Sequence, residues 1–321
     1  MALYLSHESA VRYWLTKSGD EATPEVANVQ TLALAVAGRA EVMGTVLPLD
    51  YSEGQPLHLL VADQASIRNW PGVTCHMWST PLPPGAFCEF YDNVFVSSPE
   101  FTFLQMAAAN SLWEAVELGC YLCGCFSISD KGRGYVGSRA PLATPESIAT
   151  FLDAAKGAHG VNKARRALKY VRPRAASPME VALVMMFTLP PKEGGWGMPK
   201  IEVNQKIEVA PELRPLAGCD HYLGDIYFPT ANADVEYDSA EFHTGRYRLD
   251  HTQQRRNVLE VMGTKTMSAT WGQMSSFQKW SAFVWAVKKR FGIRQRRFSP
   301  AAEIAQANLY DFLVNPKRTL F

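Results

Sequence analysis

The chain predicts an α/β protein of two domains, from three observations. Runs of strand length rich in apolar, β-branched and aromatic residues recur in both halves, at 57–62, 73–79, 87–97, 201–209, 222–228 and 233–239. Between them stand helix starts of one kind, a Ser or Thr followed by Pro and then Glu, at 98–100, 144–146 and 177–180. With 321 residues, 47% of them apolar and 20% charged, the chain is long enough for two cores and too apolar for disorder.

Taken in order, Ser6 caps an expected helix over 6–17. The strands at 57–62, 73–79 and 87–97 follow, the last two separated by a turn holding Pro81, Pro83, Pro84 and Gly85. Ser98, Pro99 and Glu100 start either one long buried helix or a helical pair. Residues 127–143 are a Gly- and Ser-rich excursion, and Pro145 and Glu146 open another helix. A basic stretch then carries Lys163, Arg165, Arg166, Lys169, Arg172 and Arg174. The boundary is expected there: a smaller α+β domain over 1–160, a basic linker or helix end over 161–176, and an α/β domain over 177–321. In that second part Ser177 and Glu180 stand at capping-box spacing. The three strands at 201–239 follow. A helix ends at Gly263, residues 265–272 form a short strand, and 277–292 form an amphipathic helix.

Composition excludes little else. The formal net charge of +1 gives no global case for nucleic acid. Cys120, Cys123 and Cys125 lie close together, but no second Cys/His pair at zinc spacing accompanies them, so buried free thiols are expected. No apolar run reaches membrane-spanning length and no leader precedes the first helix; a cytoplasmic protein without a membrane partner is the expectation.

Chemistry concentrates near residue 230. Asp225 sits in an apolar strand run, and Glu236 and Asp238 stand two apart on the next one, with His243 beyond. Side chains at i and i+2 of a strand share a face. These acids either line one exposed strand face or converge as a cluster. Converging carboxylates repel unless they hold a cation or share protons. Mg²⁺ is the cation such a set suits, because it takes carboxylate, water and phosphate oxygens. It would orient a water and stabilise charge on a phosphodiester. His243 is then a general acid or base, or else a surface histidine. Glu180 is a first-turn helix acid in its simplest role. Arg255 and Arg256 either face phosphate, pair with Asp238, or form a solvated basic face.

The segments SPMEVAL, VNQKI, YLGDIYFPTANADVEYDSAEFH, RRNVLEVMG and TWGQM resemble, in order over 177–274, the DUF559 domain, a branch of the PD-(D/E)XK nuclease superfamily related to very-short-patch-repair endonucleases. The resemblance implies a restriction-endonuclease-like mixed sheet flanked by helices, and a metal-dependent endonuclease acting on DNA. It implies catalytic roles for Glu180, Asp225, Glu236, Asp238, His243 and Arg255, with Mg²⁺ on Asp225, Glu236 and Glu180. Asp238 stands where the wider superfamily has lysine, and Ser239 where this branch has glycine. The branch's aspartate three residues before the arginine falls at Thr252, with Asp250 close by. The alternative that these departures imply is a catalytically inactive nucleic-acid-binding or antitoxin-like regulator on a nuclease fold.

In the first half, SHESAVRYWL, HLLVA, VSSPEFTFLQMAA and ELGCYLCG resemble the C-terminal portion of type IV abortive-infection antitoxins. That resemblance implies a toxin or regulatory protein partner. The chain starts too close to SHESAV to hold the winged helix of those antitoxins, which disfavours a sequence-specific repressor. Two basic stretches, 163–174 and 288–297, would supply phosphate contacts to nucleic acid.

Overall fold

The computed structural model describes residues 1–19, 21, 24–130, 132, 134–238, 246–315 and 318, with only the backbone described over 246–252. The chain is an α/β protein whose mixed sheets are flanked by helices. It forms two compact units, Met1–Pro173 and Arg174–Arg318. The division falls within the basic 161–176 segment. Within that segment, residues 161–168 are helical and belong to the first unit. The first unit is the larger of the two, not the smaller.

The first unit begins β1 (Leu3–Leu5), α1 (His7–Thr16), β2 (Val26–Ala27), α2 (Arg39–Met43), β3 (Leu57–Val61) and β4 (Val73–Met77). It continues β5 (Phe87–Tyr91), β6 (Val94–Ser97), α3 (Pro99–Ala109), α4 (Leu112–Leu122), β7 (Phe126–Ile128), β8 (Tyr135–Ser138), α5 (Pro145–Ala154) and α6 (Val161–Leu168). Six strands form one sheet in the order β2-β5-β6-β1-β3-β4. All five residues of β3 are buried, which is why the run reads as continuous apolar sequence rather than alternation. The helix expected after Ser98 is a pair. Ser111 and Glu114 form a capping box that starts α4, so the chain breaks at Asn110 and Ser111. The Gly- and Ser-rich excursion contains an antiparallel hairpin, β7 with β8. All six cysteines are free, and burial pushes the Cys120 thiol up to about 11.

Ser6 sits at the N-cap position of α1 but makes no cap bond. Its hydroxyl lies 3.1 Å from His7 Nδ1 instead. His7 opens a histidine cluster. Its ring stacks on that of His76, centroids 3.6 Å apart, and His76 Nε2 lies 2.9 Å from His58 Nδ1. His58 Nε2 is 3.4 Å from Glu8 Oε2. Burial and mutual repulsion hold His7 down at about 2 and His76 at about 4. The cluster is therefore a neutral, packed part of the unit at pH 7.

The second unit runs α7 (Pro178–Thr188), β9 (Glu202–Glu208), α8 (Arg214–Ala217), β10 (His221–Phe228), β11 (Ala233–Asp238), α9 (Arg246–Val261), β12 (Lys265–Thr270), α10 (Trp271–Met274), α11 (Phe277–Phe291) and α12 (Pro300–Val314). The sheet order is β12-β11-β10-β9, with β11 and β12 parallel and the other pairs antiparallel. Ile226 pairs with Val235 and Phe228 with Ala233, so these four share one face. Phe228 meets Phe187 of α7 and Phe291 of α11 there, with ring centroids 5.9 and 5.5 Å apart. The opposite face of β11 carries acids, and α9 covers it. The helix α12 was not expected from the sequence, although Ser299, Pro300 and Glu303 repeat the Ser-Pro…Glu start used elsewhere.

Candidate functional site

Alternation along β11 puts Asp234 and Glu236 on one side, away from the core formed by Ala233 and Val235. Arg255 of α9 reaches both: it ion-pairs with Glu236 Oε1 and lies 3.9 Å from Asp234 Oδ2. The same guanidinium donates to the Leu223 carbonyl and lies 5.3 Å from the centre of the Tyr222 ring. Asp225 joins from β10, where its Oδ2 accepts the Tyr237 backbone N–H at 2.8 Å. The β9–β10 ladder pairs Gly224 with Gln205 and then resumes at Ile226 with Val203. Asn204 and Asp225 drop out between. Asn204 takes φ 48°, a conformation that Asn tolerates better than most residues.

Asp234 and Glu236 thus face one guanidinium with Asp225 close by, and the crowding shows in Asp225 and Glu236. Burial first, then Glu180 and Asp234, push Asp225 up to about 7, against the Tyr237 N–H and Arg255. Glu236 is pushed well above the carboxylate range by burial, Asp234 and Asp225. Asp234 is 0% exposed, and neither of its oxygens meets a hydrogen-bond donor. Asp234 and Glu236 lie close enough to hydrogen-bond if one carries a proton, but not if both are ionised. Gly224 makes room for this carboxylate, since a Cβ there would stand 2.8 Å from Asp234 Oδ1.

Glu180 occupies a different position in the chemistry. Its Oε2 accepts from Ala176 N–H at 2.8 Å and Asn204 Nδ2 at 2.7 Å, and its Oε1 accepts from the Ser177 hydroxyl at 2.9 Å. The Ser177 cap is present, but the carboxylate reaches the Ala176 N–H rather than the N-cap N–H of a capping box. Asn204 and Arg174 exchange two further bonds, side chain to backbone, at 2.8 Å each. Glu180 therefore anchors the start of α7 to the displaced residue of β9, and acts on Asp225 through its charge.

Asp238 opens beside Glu236, Arg255, Arg256 and Ser268 onto a pocket of about 120 Å³. Arg256 donates to the Ser268 hydroxyl. His221 pairs with Asp220 at 2.5 Å. His243 lies outside the described residues. Asp234 is the site residue that the chain's motifs do not single out. Its signal was present, because Asp234, Glu236 and Asp238 stand at i, i+2 and i+4 of one strand.

Among the described residues no group of three His, Cys, Asp or Glu side chains is arranged to hold a metal ion. Glu180 has both oxygens engaged and does not fit as a ligand in this conformation. Asp225 and Glu236 do fit the chemistry of a hard cation, and Mg²⁺ is commonly held by one or two carboxylates plus water and phosphate. Arg255 is the counter-ion of the cluster. Arg255→Ala is expected to cost about 3 kcal/mol or more at pH 7.5, by leaving buried carboxylates unpaired. Urea denaturation would measure this, and the loss is expected to shrink at pH 5, where Asp225 and Glu236 carry protons. An equal loss at both pH values would contradict the electrostatic account.

Comparison of the chain with family models, curated proteins and solved structures gives no match. Among the described residues no helix is long and apolar enough to cross a membrane.

Proposed function

We infer that the second unit is a divalent-cation-dependent nuclease domain acting on DNA. One observation carries this reading: Asp234 and Glu236 share one face of β11 against Arg255, Asp225 adds its carboxylate from β10, and Asp234 is 0% exposed. Crowded carboxylates that cannot all ionise together are costly for stability and suit a cation that displaces their protons. Asp225 and Glu236 would hold Mg²⁺. The bound ion would stabilise charge on the phosphodiester and supply an activated water. Asp234 raises the basicity of that pair. Asp238 and Arg256 line the adjoining pocket, where Arg256 is placed to steady a phosphate oxygen.

The test is cleavage of plasmid DNA, single-stranded DNA and RNA in Mg²⁺ or Mn²⁺. Cleavage by the wild type is expected to fall about 100-fold or more in Asp225→Asn, beyond the 10–100-fold typical of losing an outer-shell partner. Equal cleavage by the variant would refute the site.

A second reading is favoured by the ion pair between Arg255 and Glu236. An arginine that neutralises the cluster permanently would leave a non-catalytic nucleic-acid-binding or antitoxin-like regulator. That protein would bind DNA with strong salt dependence and show no turnover in either metal.

A further inference from the structure

Two cationic pockets of the second unit lie apart from the acidic cluster. The first, of about 350 Å³, is lined by Trp196, Thr230, Lys288, Phe291, Arg294 and Arg296, among others. The second, of about 410 Å³, is lined by Lys192, Arg296, Arg297, Phe298 and Ser299. Arg296 belongs to both, so the pockets adjoin. Neither has an Asp or Glu in its lining.

Lys288 makes this arrangement unusual. Its side chain is 3% exposed, yet its ammonium makes one bond, to the Trp196 carbonyl at 3.4 Å, out of three it can donate. It also lies 5.3 Å from the centre of the Phe298 ring. Burial and the Arg296 charge both pull its pKa down, and no acid opposes them. A buried ammonium normally has a carboxylate partner. Arg294 and Arg296 are exposed and form no ion pair among the described residues.

We propose that the two pockets grip successive phosphates of one nucleic-acid strand, with Lys288 and Arg294 on the first and Arg296 shared between them. Lys192 and Arg297 extend the track past Arg296. Two adjoining pockets favour a polynucleotide over a single phosphate, because a mononucleotide engages one of them. Trp196 and Phe291 supply apolar wall to the first pocket. Phosphate contacts of this kind carry no sequence information, so the grip positions a strand without selecting it. The proposal is compatible with the nuclease reading but does not require it, because binding here involves neither Asp225 nor a metal.

The experiment is fluorescence anisotropy of a labelled single-stranded oligonucleotide with the full chain, in EDTA, over a range of KCl concentrations. Arg294→Ala/Arg296→Ala alters exposed side chains and is expected to leave the fold intact. It is expected to weaken binding more than about 10-fold at 0.1 M salt and to flatten the log–log salt slope by about 1.4, the value for two phosphates of a single strand. Lys288→Met, which keeps the length and apolar stem, is expected to weaken binding in the same direction. EDTA removes any divalent cation, so the loss in these variants reads this grip and not a metal-bridged contact at the acidic face. Unchanged affinity and slope in the double variant would overturn the proposal. Competition by AMP or inorganic phosphate as effective as by unlabelled oligonucleotide would also overturn it, in favour of a free-phosphate site.

Discussion

Lowering the pH from 7.5 to 5 is expected to move the two units in opposite directions. In the first unit, half-buried His7 and His76 are neutral, held at about 2 and about 4 against an ordinary 6.5. Their folded pKa values lie below the unfolded ones, so the unfolded chain takes up protons first as pH falls. Stability is complete above pH 6.5 and is lost below it. The loss by pH 5 is about 2 kcal/mol for each histidine, or about 4 kcal/mol together. His58 adds to it in the same direction. In the second unit Asp225 is held at about 7 against an ordinary 3.8. Its folded pKa lies above the unfolded one, so the folded state takes up the proton first. The second unit is therefore expected to gain about 2.5 kcal/mol between pH 7.5 and 5, and Glu236 adds to the gain. Calorimetry at the two pH values would show one transition falling and the other rising. His76→Phe identifies the first unit's transition, because it removes part of that unit's acid sensitivity. Two transitions that fall together would contradict the assignment of either cluster.

Replacing Asp234 with Asn is expected to stabilise the second unit by about 2 kcal/mol at pH 7.5, because removing one charge from a buried, undercompensated set relieves its desolvation and repulsion. Asn has the same shape, so it fits the space that Gly224 leaves by lacking a Cβ. The same change is expected to lower the pKa values of Asp225 and Glu236, which Asp234 now raises. Urea denaturation gives the stability, and carboxyl carbon NMR titration gives the pKa of Asp225. A loss of stability in Asp234→Asn would show that the carboxylate is satisfied by partners it does not have here. A gain in stability with a loss of cleavage would mark Asp234 as a residue kept for function at a cost to the fold.

Much of this architecture is visible in local sequence. Ser98, Thr144 and Ser177 each start a helix where a capping residue precedes Pro and an acid. The buried strand β3 and the strands β9, β10 and β11 are legible from side-chain type alone. The less regular features depend on contacts that no local pattern records. β7 and β8 pair antiparallel although Gly and Ser are frequent around them, because Phe126 and Ile128 are buried. Glu180 looks like a site residue in sequence, yet Asn204 in a left-handed conformation brings an amide to it and fixes it as an anchor. Asp234 was legible by strand alternation but was hidden among the more suggestive acids around it. Arg255 is separated from Glu236 by nineteen positions, and only the packing of α9 on the sheet makes it the counter-ion. The histidine cluster joins residues 7, 58 and 76 through tertiary packing, so no spacing announces it.

The proposed function stands on a divalent cation bound by Asp225 and Glu236. Calorimetric titration of the full chain with Mn²⁺ at pH 7, repeated in two buffers of different ionisation heat, tests it most directly. The account predicts saturable binding with release of protons, because a cation displaces those held by Asp225 and Glu236. It also predicts that binding is lost in Asp225→Asn and in Glu236→Gln. Absence of saturable binding, or binding unchanged in both variants, would contradict it.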